Sequence, residues 1–189
     1  MVVSDPLRPN GTVLMEWVDG TGHGDINNEV TDPDEDITTF IRATTAAGDD
    51  NDVCIVSFPD TIDDVDEVTN IQVKTFGAKA TDNPEVSVNM GGWSAEPECV
   101  LGEVPSTIWA TNNFGGSWSQ ADLDGLQVRY RADIEEKNGL NVIFICYVIV
   151  TYTATAPTGY GHDFLGIPAA NIDSIMGIPA ANIDNICGL

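Results

Sequence analysis

The sequence predicts an all-β fold: an antiparallel, jelly-roll-like β-sandwich with an extended N-terminal arm and a short repetitive C-terminal tail. Three observations predict it. Apolar, β-branched and aromatic runs recur at short spacing, each bounded by Gly, Pro, Asn or Asp, the residues that end strands. Helical periodicity is nearly absent. The longest apolar run, residues 142–150, has the length of a buried strand and falls far short of a membrane span.

Residues 1–12 carry two prolines and a glycine and read as the arm. The sandwich is expected over residues 13–154. Its first run, 13–18, leads into a Gly-rich loop, and residues 28–45 alternate weakly around an acidic turn. Strands follow over 53–58, 68–80, 85–90, 107–111, 126–134 and 141–153. In the second of these, Ile71, Val73, Thr75 and Gly77 share one side, with Gln72, Lys74 and Phe76 on the other. Over 126–134 the alternation sets Leu126, Val128, Tyr130, Ala132 and Ile134 against Gln127, Arg129, Arg131 and Asp133. The last run is β-branched almost throughout, which predicts a central strand. Ser119 and Asp122 have capping-box spacing, so a short helix should start there and stop at Gly125. Residues 155–161 (TAPTGYG) form a linker, and 162–189 a repeat tail.

The tail repeats an eleven-residue unit, GIPAANIDSIM followed by GIPAANIDNIC, with glycines at Gly166, Gly177 and Gly188. A repeated unit rarely buries its own apolar face. Pro168 and Pro179 suit the first position of a short helix, and the glycines suit its end. Each unit is therefore expected to form about two helical turns, with Ile172 and Ile175, then Ile183 and Ile186, three residues apart on one face. Helices that short need cover. Ile167, Ile172, Ile175, Ile178, Ile183 and Ile186 are accordingly the candidate oligomerisation residues, covered by the same tail from other copies.

Composition narrows the function. A hydrophobic fraction of 42% is that of a folded chain. Thirty acidic residues against 7 basic ones give a net charge of −23, which repels phosphate backbones and anionic lipid. Nucleic acid and membrane are not expected as partners. The N-terminal residues lack the apolar stretch of a secretory signal. Cys54, Cys99, Cys146 and Cys187 show no C-x-x-C spacing, so zinc is not expected and assembly in a reducing cytoplasm is.

No catalytic residues emerge. His23 and His162 lie in Gly-rich loops beside Asp25 and Asp163, without a convergent nucleophile. Ser119 stands where a G-x-S-x-G elbow centred on Ser117 would need glycine. Asp32, Asp34 and Asp36 begin like an EF-hand calcium loop, but Ile37 replaces its turn glycine and Ala43 its final glutamate. That cluster, with those at 49–52 and 60–67, reads as solvated acidic loop, and no cofactor is expected. Trp17, Trp93, Trp109 and Trp118, with Tyr130, raise the question of sugar stacking. Trp93 and Trp118, in turn-like segments beside Asn89, Asn112 and Asn113, are the candidate glycan platform, with burial in the core as the alternative.

An acidic D-x-D-E-D-x-T-x-F-I stretch from Asp32 to Ile41 precedes a strand ending Phe58-Pro59-Asp60. A Gly91-Gly92-Trp93 turn, a W-S-x-A-D-L-D-G-L segment from Trp118 to Leu126 and a final strand closing Val150-Thr151-Tyr152 follow. That order resembles a jelly-roll domain common in structural proteins of tailed bacteriophages, and the tail is similar to short repeats of phage fibre and appendage proteins. The resemblance implies a non-enzymatic virion component, trimeric, assembled in the host cytoplasm. It would lie on the particle exterior as head or collar fibre, tail appendage or capsid decoration. Its partners would be other copies of itself and the capsid, neck or tail proteins. The alternative is a carbohydrate-binding module or adhesin recognising a host-surface glycan.

Overall fold

The computed structural model describes residues 1–19, 40–44, 52–132, 140–155, 174–175 and 178–179. Two compact units emerge, Met1–Ala154 and Thr155–Leu189. The first holds strands β1 (Val2–Val3), β2 (Gly11–Met15), β3 (Val18–Asp19), β4 (Ile41–Thr44), β5 (Val53–Ser57), β6 (Val65–Lys79) and β7 (Glu85–Asn89). It continues with β8 (Gly102–Glu103), β9 (Ile108–Trp118), helix α1 (Gln120–Asp124), β10 (Gln127–Arg131) and β11 (Leu140–Ala154).

These strands make two sheets. The larger has seven strands in the order β3-β4-β11-β6-β8, with β1 on the β11 edge and β9 alongside β6. The smaller is β2-β5-β10-β7. From β4 to β11 the chain passes back and forth between the sheets, except that β8 and β9 both belong to the larger one, giving the expected all-β sandwich. The alternation read in β6 holds: Ile71, Val73 and Thr75 are fully buried, while Gln72, Lys74 and Phe76 face outward. Val128 and Tyr130 of β10 are likewise fully buried, and Arg129 and Arg131 lie outside. Val56, Val86, Val88, Ile71, Val148 and Val150 fill the space between the sheets. Helix α1 is the expected one: Ser119 and Asp122 form a reciprocal capping box, and Leu123 is buried.

Three expectations change. Residues 1–12 are extended, but they are paired rather than standing off as an arm. Val2 and Val3 register with Tyr152 and Thr151, and Leu7 exchanges backbone hydrogen bonds with Val148. The reason lies in β11, whose first four residues alone are covered by β4. The N-terminal segment satisfies part of the remaining edge. The run 13–18 is two strands in different sheets: β2 pairs with β5, β3 with β4, and Trp17 at the corner turns into the core.

The tail departs from helix where it is described. Within the second unit β12 (Ser174–Ile175) pairs antiparallel with β13 (Ile178–Pro179), registering Ile175 with Ile178. Two intervening residues, one of them Gly177, is the spacing of a tight hairpin, and β-branched Ile favours extended backbone. Pro179 stands at a strand end, where its missing N–H is tolerated. Ile167, Ile172, Ile183 and Ile186 lie outside the described residues.

Candidate functional site

The outer face of the seven-stranded sheet collects side chains from four strands. Period-two alternation along β6 places Gln72, Lys74 and Phe76 there. The register with β9 sets Phe76 opposite Trp109, Lys74 opposite Thr111 and Gln72 opposite Asn113. On the other side, β11 sets Tyr147 opposite Lys74 and Ile149 opposite Gln72. A register shift between Ile143 and Ile145 leaves Phe144 without a partner of its own, and its ring joins this face.

The rings form a connected row that crosses the strands from Phe40 to Trp109 and then turns back over β6 to Tyr147 of β11. Phe40 and Phe144 have centroids 5.8 Å apart, Phe144 and Phe76 6.0 Å, Phe76 and Trp109 5.2 Å, and Trp109 and Tyr147 5.4 Å. Trp109 keeps 38% of its surface exposed. The guanidinium of Arg8 lies 5.7 Å above the Tyr147 ring. Next to the rings come hydrogen-bonding groups: Lys74 Nζ donates to Thr111 Oγ1 at 2.8 Å, and Gln72 Nε2 to Asn113 Oδ1 at 2.9 Å. A half-buried aromatic strip with one exposed indole, rimmed by polar side chains, is what an interaction face looks like.

Trp109 is among the aromatics named from sequence, but the two chosen as the platform lie elsewhere. Trp93 follows β7 in the smaller sheet, and the guanidinium of Arg129 sits 4.2 Å over its ring. That arginine is held in turn by Ser87 Oγ and by Glu96. Trp118 ends β9 in the larger sheet, partly buried against the core, its ring over Gly116. Trp93 and Trp118 thus belong to opposite sheets. Trp17 and Tyr130 are core residues, with Trp17 Nε1 donating to the Asp52 carbonyl at 2.8 Å.

Ser119 serves as helix cap, its hydroxyl donating to Asp122 Oδ2 at 2.7 Å, and Ser117 Oγ bonds Glu67. The backbone N–H and hydroxyl of Ser119 hold the Asp122 carboxyl below its usual range. In the acidic segment at 60–67, Asp60 is pushed up, first by the charge of Asp124 and then by slight burial and by Asp63. Among the described residues no three His, Cys, Asp or Glu side chains gather as metal ligands. Asp32, Asp34, Asp36, His23 and His162 lie outside the described residues.

No protein-family model and no curated protein sequence matches the chain. Among solved structures it is similar to the N-terminal cellulose-binding domain of β-1,4-glucanase C from Cellulomonas fimi. The likeness has 14% identity, covers 74% of this chain and 89% of that one, and gives a TM-score of 0.38. It is too distant to carry a ligand across.

Proposed function

We propose that the sandwich is a carbohydrate-binding module whose site is the outer face of the seven-stranded sheet. The single observation that carries this is the ring row from Phe40 to Tyr147 with Gln72, Asn113, Lys74 and Thr111 beside it. A sugar ring has an apolar C–H face and a rim of hydroxyls. Aromatic rings cover the first, and amide, hydroxyl and ammonium groups bond the second. Charged carboxylates, so abundant elsewhere, are absent from that set of side chains. The sugar chain would lie across the strands, along the Phe40–Trp109 part of the row.

Trp109→Ala tests it. Stacking on an exposed indole contributes roughly 1.5 kcal/mol or more, so affinity for a retained glycan should fall about tenfold. Trp93→Ala should leave it unchanged, because that indole packs under Arg129 on the smaller sheet. Affinity electrophoresis against soluble polysaccharides, preceded by a glycan array, reads both. An array that retains nothing sinks the reading.

A second reading rests on a separate observation, the two near-identical units of the tail. On it the chain is a self-associating, non-enzymatic component of a phage particle exterior, and the sandwich is its receptor-binding part. A hairpin as short as β12–β13 is marginal in water by itself, which favours completion by other copies. The mass of the chain in solution, with and without the tail, tests it.

A further inference from the structure

At the Phe40 end of the ring row the sheet carries a groove of about 360 Å³. We propose that it binds an apolar acyl or aryl carboxylate, with the carbon body in the groove and the carboxylate at Arg42. The inference does not depend on the glycan reading. Register builds the floor: Arg42 of β4 sits opposite Val142 of β11, which sits opposite Ala78 of β6. Phe40, just before β4, and Phe144 of β11 stack on each other and form one wall. Val104 and Pro105, just beyond β8, form the other, and Val104 is 51% exposed. This volume is in the range of small-molecule sites, which are apolar with a few placed polar groups.

Charge selects the ligand class. The chain has 30 carboxylates and 7 basic side chains, so an arginine can readily find an acidic partner. On the smaller sheet Arg129 pairs with Glu96, and Arg131 with Glu85 and Glu96. Arg42, exposed at the mouth of an apolar groove, makes no ion pair among the described residues. Its planar guanidinium matches a carboxylate through two parallel hydrogen bonds. A ligand with an apolar body and one carboxylate complements both features at once.

The probes are octanoate and 3-phenylpropionate, titrated calorimetrically into the full chain beside 1-octanol and 3-phenylpropanol. Saturable binding of the acids at one site is expected, with the alcohols at least about tenfold weaker. Arg42→Gln should bring the acids down to the affinity of the alcohols, and Val104→Trp, which fills the groove from an exposed position, should abolish binding of all four. Trp109→Ala should leave acid affinity unchanged while weakening any glycan. No saturable binding of either acid overturns the proposal. So does equal affinity for acid and alcohol, or binding that survives Val104→Trp.

Discussion

Tyr130 is where the two sheets are tied by something other than apolar contact. Its ring is fully buried, 6.3 Å from that of Trp17, and its hydroxyl is 2.7 Å from Thr75 Oγ1 of the facing sheet. The same hydroxyl donates to Cys146 Sγ at 3.1 Å. Burial pushes the Cys146 and Cys99 thiols up to about 12 and the Tyr130 phenol well above its usual range, so all stay protonated. With every member neutral and the Tyr130 proton directed at Cys146, Thr75 is the donor to the Tyr130 hydroxyl. Tyr130→Phe breaks the middle of this chain and leaves Thr75 Oγ1 without that acceptor in a dry interior. It should lower unfolding free energy by about 1–3 kcal/mol, read from the urea midpoint. Adding Thr75→Val removes the stranded hydroxyl and should recover part of the loss, so the double-mutant cycle will be non-additive. An additive cycle would show that the two side chains are not coupled. Tyr130 was legible as inward from period two alone; its partners were not, because they come from β6 and β11, 55 and 16 residues away in sequence.

Element by element, β11 governs the site. It pairs with β6 over most of its length, and the register shift after Ile143 sends Phe144 onto the outer face between Phe40 and Phe76. Gly77, opposite Ile143, makes room for this: a Cβ there would overlap the Val142 carbonyl oxygen and lie 3.3 Å from Leu101 Cδ1. Gly77→Ala should therefore cost roughly 1–3 kcal/mol, as overpacking does, and should weaken glycan binding by displacing Phe144. Gly92→Ala, where nothing lies within 4 Å of the added carbon, is the control and should be close to neutral. Equal thermal midpoints for the two variants would remove the role given to Gly77. Local chemistry made some elements readable: the Ser119–Asp122 box set α1, and clean alternation set β6 and β10. It failed where sequence offers no period. Asn112-Asn113 and Gly115-Gly116 look like loop, yet β9 runs through them because β6 pairs it on one side only. Phe144 sits in an unbroken apolar run, so neither its face nor the bulge that sets it could be read.

For the whole molecule, charge and apolar surface are sorted between faces. Arg129 and Arg131 neutralise Glu85 and Glu96 on the smaller sheet, while Lys74, Arg42 and Arg8 stand among the rings of the larger one. Only half of that face was legible. The shared side of Gln72, Lys74 and Phe76 followed from alternation, but its meeting with Trp109, Tyr147 and Phe40 depends on strand order, which one sequence does not reveal. The tryptophans chosen from sequence were those in apparent turns, whereas the exposed indole on the row lies in a strand. A net charge of −23 disfavours casual contact between copies, so any stable association needs a specific interface. The tail is the candidate, and the sandwich Met1–Ala154, with its own core, can be compared with and without it. In light scattering, the full chain should show a multiple of the monomer mass and a chain ending at Ala156 a single one. Equal monomeric masses would eliminate tail-driven assembly. Equal multimeric masses would move the interface onto the sandwich, and the aromatic face would then have to be counted as buried between copies rather than open to a glycan.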